Sequence, residues 1–92
     1  MAFWERLKAL YLAPRSPGEE DGAAVPLAAC ATEEQLDELI GFLSVEDRGE
    51  SRIYFVRPIC RVGAERGRRI VEELRADRVF EKEATALLSG RV

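Results

Sequence analysis

The stretch Arg52-Ile-Tyr-Phe-Val-Arg-Pro-Ile59 decides the fold class, since it is the most strand-like run in the chain. In extended backbone Ile53 and Phe55 point one way and Tyr54 and Val56 the other. Both faces are then apolar, as in a strand covered on two sides. Pro58 would limit pairing at the far end. Upstream, Ala24-Val-Pro-Leu-Ala-Ala-Cys-Ala31 is a second apolar run of strand length, and it reads as a buried strand.

Between and after these runs the period changes. Thr32 and Gln35 have the spacing of a capping box, Glu33 and Glu34 suit the positive end of a helix dipole, and Leu36, Leu39, Ile40 and Leu43 recur along one helical face. A turn at Arg61-Val-Gly63 leads to a second helix from Ala64, with Ile70, Val71 and Leu74 inward and its arginines and glutamates mostly outward. The order strand, helix, strand, helix predicts an α/β (α+β) domain of two layers, with a short mixed sheet and a right-handed crossover. Residues 79–92 read as either short strands or more helix.

The N-terminal segment is a third kind of pattern. Phe3, Trp4, Leu7, Leu10 and Tyr11 fall within about a third of a helical circumference, with Glu5, Arg6 and Lys8 opposite. Pro14, Pro17, Gly18, Gly22 and Pro26 then interrupt the chain, and Glu19, Glu20 and Asp21 charge it. The predicted organisation is an amphipathic helix over 1–13, a flexible acidic Pro/Gly linker over 14–26 and a small domain over 27–92. A helix on such a leash needs a surface to land on.

Composition narrows the classes of function. The chain has 92 residues, 47% hydrophobic and 34% charged, which is globular rather than disordered usage. A domain this small buries a modest share of its surface, so a homodimer is expected. No histidine is present, which removes the usual general base and the commonest transition-metal ligand, so we expect no enzyme, no catalytic residue, no metal and no cofactor. The cysteines, Cys30 and Cys60, lack CxxC spacing. Reduced buried thiols are the ordinary expectation, although at the ends of neighbouring strands the two sulfurs would come within bridging reach.

The net charge of −3 is unevenly spread: residues 1–15 carry +2, residues 16–51 carry −9 and residues 52–92 carry +4. No run reaches the length of a membrane-spanning helix, and Gly18-Glu-Glu-Asp-Gly22 stands where a signal peptide would need its apolar core. A cytoplasmic location is expected. The basic cluster Arg57, Arg61, Arg66, Arg68 and Arg69 shares its helix with Glu65, Glu72 and Glu73 and has no aromatic platform. A solvated, ion-paired face is therefore favoured over nucleic-acid binding.

Laid out this way, the chain resembles the SepF family of cell-division proteins, in its archaeal-like branch. The elements that carry the resemblance are the helix Phe3 to Leu12, the charged linker Pro14 to Pro26, the strand and helix Leu27 to Leu43, the strand Ile53 to Val56, the Arg-Arg-Ile helix Arg68 to Leu74, and the small-residue segment closing on Gly90. The resemblance implies a non-enzymatic adaptor at the inner face of the membrane, dimeric through its α/β domain, which tethers the tail of the tubulin-like protein FtsZ. Phe3, Trp4, Arg6, Leu7, Lys8, Leu10 and Tyr11 would then meet anionic lipid, and Arg69 and Glu72 would lie near a groove for the FtsZ-like tail peptide. Aromatic side chains and flanking bases suit a headgroup interface. The same stripe would also serve as ordinary core, folded back onto its own domain or swapped onto a dimer mate. The alternative function is a soluble interaction or regulatory subunit whose N-terminal helix docks on a partner protein. A small ligand-binding or nucleic-acid-binding domain is the weaker third reading.

Overall fold

The computed structural model describes residues 2–90 and contains six α-helices and two 3-10 segments, with no strand among the described residues. The helices are α1 (Ala2–Leu12), α2 (Pro17–Cys30), α3 (Leu36–Phe42), α4 (Val56–Val62), α5 (Ala64–Leu74) and α6 (Glu81–Leu88). The 3-10 segments are Glu33–Gln35, which leads into α3, and Glu46–Phe55, which leads into α4. The α/β expectation, with its short mixed sheet, is overturned. With it goes the strand-helix-strand-helix layout on which the SepF resemblance rested.

Both expected strands are helical for reasons visible in their residues. In Arg52–Ile59 the residues Arg52, Phe55, Val56, Pro58 and Ile59 are buried while Tyr54 and Arg57 are exposed, and the spacing 52, 55, 56, 59 is a helical face rather than an alternation. Pro58 is the third residue of α4, where the backbone N–H would have no intrahelical partner, so it fits a helix start as readily as a strand end. Ala24–Ala31 belongs to α2, in which Ala23, Ala24 and Leu27 are buried. Alanine favours helix, and a short apolar run does not distinguish the two periods.

The expected linker, 14–26, is a short bend over 14–16 followed by residues 17–26 of α2. Ser16 is its N-cap and accepts from the Glu19 N–H at 3.1 Å, Pro17 occupies the first turn, and Glu19 and Glu20 face the positive dipole end. Helix α2 lies against α1. The start of α1 and the end of α2 line one depression, so the two run antiparallel. The radius of gyration, 12.5 Å, is close to the roughly 12 Å of a compact chain of this length, which leaves no extended arm among the described residues.

The core is aromatic at its centre. Tyr11 meets Phe55 edge-on at 5.0 Å and Phe42 at 5.5 Å, and Phe42 lies 4.8 Å from Phe55. Trp4 flanks Phe42 at 6.4 Å and donates its indole N–H to Glu38 at 2.9 Å. The α1 stripe is thus internal except at Phe3, which is exposed: Trp4, Leu7 and Tyr11 are buried, and Leu10 is half-buried against the core.

Two features set the remaining helices. A Cβ on Gly67 would stand 2.1 Å from the Ile59 carbonyl oxygen, and one on Gly63 2.5 Å from the same atom. Glycine at these positions lets α4 and α5 meet backbone to backbone. The positive φ of the turn falls on Ala64 at 50°, not on Gly63. Second, Arg52 is buried and donates to the carbonyls of Leu43 at 2.7 Å and Gly49 at 2.8 Å, with its guanidinium 5.2 Å from the centre of the Phe80 ring. It joins the end of α3, the kinked 3-10 segment and the entry to α6.

Candidate functional site

Phe3, Leu12, Val25 and Tyr54 are the large apolar side chains exposed among the described residues. Val25 and Tyr54 share one open groove of about 410 Å³ between α2, the second 3-10 segment and α4. Ala28, Ala29, Ile53 and Pro58 also line it, together with the charged Arg57, Arg61 and Glu83. Helical spacing puts Val25, Ala28 and Ala29 on one side of α2, opposite the buried Ala23 and Leu27.

Charge around this groove is ordered. Arg61 donates to the Ala31 carbonyl at 2.9 Å and to the Ala28 carbonyl at 3.2 Å, placing a cation at the negative end of α2. Arg57 lies 3.9 Å from the Glu83 carboxylate, and its side chain is 54% exposed, so the pair contributes little to stability and leaves Arg57 accessible. Beyond Ile53 and Tyr54 a second depression of about 380 Å³ is lined by Asp21, Glu50 and Ser51. One end of the surface is therefore basic and the other acidic.

Beneath the acidic end, a polar cluster joins α1, α2 and the 3-10 segment. The Ser51 hydroxyl contacts the Glu20 carboxylate and the Arg48 carbonyl, and it lies 3.0 Å from the Tyr11 hydroxyl. With both acceptors competing for the single Ser51 hydrogen, Tyr11 is the donor of that pair. Arg48 approaches Glu20 at 3.4 Å and the Tyr11 carbonyl at 3.5 Å. Burial pushes the Tyr11 phenol above its ordinary value, against the opposing effect of the Ser51 contact. The cluster ties α1 to α2 and the 3-10 segment, and it leaves the Arg48 Nε buried without a hydrogen-bond partner.

The residues expected to meet lipid are scattered by this arrangement. Phe3 and Arg6 are exposed, Trp4, Leu7 and Tyr11 are sealed inside, Leu10 is half-buried, and Lys8 is engaged by Glu38 and, at 3.1 Å, by Glu5. Those two carboxylates hold the Lys8 ammonium above its usual range. Arg69 and Glu72 are not brought together with the groove. Each is exposed on α5 and paired along the helix, Arg69 with Glu65 and Glu72 with Arg68, both at 3.7 Å. Cys30 is exposed at the end of α2 rather than buried, Cys60 is half-buried in α4, and both are free thiols. No group of three or more His, Cys, Asp or Glu side chains among the described residues could hold a metal ion. Among the same residues no helix is long and apolar enough to cross a membrane.

Sequence reasoning missed the groove because its apolar residues were assigned to a linker and two strands. Ser16-Pro17-Gly18-Glu19, a capping-box spacing with proline at the first helical position, signals that the segment is helical, although not that it meets Tyr54. Compared with protein-family models, with curated proteins and with solved structures, the chain matches none.

Proposed function

We propose that this chain is a small helical protein-interaction module whose docking surface is the groove between α2 and α4, and that it is neither an enzyme nor a lipid anchor. The observation that carries the reading is the pairing of Val25, 50% exposed, with Tyr54, 43% exposed, on one apolar surface edged by charges of both signs. Aromatic anchors with a polar rim are the anatomy of a protein interface. The apolar stripe of α1 is, apart from Phe3, occupied by the chain's own core. A lipid-binding role would need that stripe turned outward, at the loss of the Tyr11, Phe42 and Phe55 contacts. With no histidine in the sequence to serve as its base and its hydroxyl engaged by three neighbours, Ser51 is not an activated nucleophile.

The test is site-specific photo-crosslinking in the source cell, with a benzophenone amino acid placed at position 54 and, as control, at the exposed position 73 on α5. The reading expects a discrete polypeptide adduct from position 54 and none from position 73. Absence of any polypeptide adduct from position 54 refutes it.

A further inference from the structure

The groove surface is built from two chain segments that advance side by side, and the sign of the charge changes in the same order along both. On α2 the order is Asp21, then Val25, then the C-terminal carbonyls capped by Arg61. On the second segment it is Glu50, then Ile53 and Tyr54, then Arg57 and Arg61. The surface therefore runs acidic, apolar, basic. Of the nearby carboxylates, Glu20 is already engaged by Arg48 and Ser51, while Glu83 offsets part of the basic end.

We infer that this surface binds a second copy of the chain about a two-fold axis passing near Tyr54. This names the partner for the docking surface proposed above and rests on that reading. A strip with opposite charges at its two ends and an apolar middle is complementary to itself when rotated by half a turn. Asp21 and Glu50 of one copy then face Arg57 and Arg61 of the other, and Tyr54 packs against its symmetry mate. A partner of uniform charge would leave one end of the strip facing its own sign, which disfavours it. Symmetry also makes every contact count twice.

The size of the surface sets the affinity range. From Asp21 to Ala31 the helix rises about 15 Å, and two adjacent elements are together about 20 Å wide, giving on the order of 300 Å² per copy. That is below the roughly 800 Å² per partner of a standard stable interface, so a weak dimer in the micromolar range or above is expected.

The test is sedimentation of the full chain from about 10 to 500 µM, the range such a weak interface calls for. The wild type should dimerise, Tyr54→Glu should weaken the dimer at least about tenfold, and Val25→Glu should do the same. Arg57→Glu alone and Asp21→Lys with Glu50→Lys should each weaken self-association, yet an equimolar mixture of the two should form a heterodimer, because only the mixed pair restores opposite charges at both ends. Helical content equal to wild type shows that each variant folds. A wild type that stays monomeric throughout, a dimer indifferent to Tyr54→Glu, or a mixture without heterodimer overturns the inference. If position 54 crosslinks to a different polypeptide while the wild type is monomeric, this inference fails and the interaction-module reading stands. If position 54 yields no polypeptide adduct, that reading fails.

Discussion

Whether α1 is core or a free arm is decided by truncating Tyr11. Its ring is fully buried, between Phe42 at 5.5 Å and Phe55 at 5.0 Å, and its hydroxyl meets Ser51 at 3.0 Å. Tyr11→Ala removes an aromatic payload and leaves a cavity that the flanking rings cannot fill without moving. The expected cost is about 3–5 kcal/mol. Tyr11→Phe keeps the ring and deletes only the hydroxyl; Ser51 retains the Glu20 carboxylate and the Arg48 carbonyl, so about 1 kcal/mol is expected. A chain of this length has on the order of 5–14 kcal/mol in all, so Tyr11→Ala removes a large share and lowers the melting temperature by roughly 15–30 °C. Urea unfolding followed by Trp4 fluorescence is the suitable assay. Trp4 is the single tryptophan, and its indole is buried against Phe42 and bonded to Glu38, so its emission reports α1 directly. A shift below about 0.5 kcal/mol for Tyr11→Ala, the scale of an ordinary surface change, would refute the placement of α1 in the core. So would native Trp4 emission typical of a water-exposed indole.

Three further outcomes follow from the packing. Gly67→Ala places a methyl 2.1 Å from the Ile59 carbonyl oxygen and should destabilise by about 1–3 kcal/mol or more in thermal melts; Gly41→Ala, with nothing within 4 Å of the new Cβ, should be neutral or stabilising by up to about 1 kcal/mol. Arg52→Met removes the donors to Leu43 and Gly49 and the cation above Phe80, and is expected to cost about 2–4 kcal/mol in urea titrations. Stability should fall in alkali: the folded-state pKa of Tyr11 lies above its unfolded value near 10.0 and that of Lys8 above 10.5, so each contribution is complete below the unfolded value and is lost as pH rises through the folded one. Unfolding free energy measured from pH 8 upward should therefore decline beyond about pH 10, and less steeply for Tyr11→Phe.

Much of the helical content could be read directly. The stripe over Phe3 to Tyr11, the face Leu36, Leu39 and Ile40, and the face Ile70, Val71 and Leu74 are helical in the structure as their spacing predicts, while Leu43, the last residue of the second face, is the C-cap of α3. At the first of the two later helices Gln35 accepts from the Thr32 N–H at 2.8 Å, as the capping spacing requires. The errors lie where apolar residues are too few or too crowded to show a period. Ile53 to Val56 is apolar on every side because it passes from a 3-10 segment into the buried start of α4. In Pro17 to Cys30, two glycines and an internal proline mask a helix that its N-cap and its packing on α1 sustain.

Composition and periodicity alone therefore determined the amphipathic helices and the capped start ahead of α3. Local residue pattern dictates local backbone preference, and those features are local. Only the tertiary structure decided what the α1 stripe faces, because an apolar stripe is equally satisfied by lipid, a partner or its own core. Here Phe42 and Phe55 lie close enough to Tyr11 to bury it. The α2–α4 groove was likewise beyond sequence reading, since Val25 and Tyr54 are distant in the chain and meet only when the helices pack.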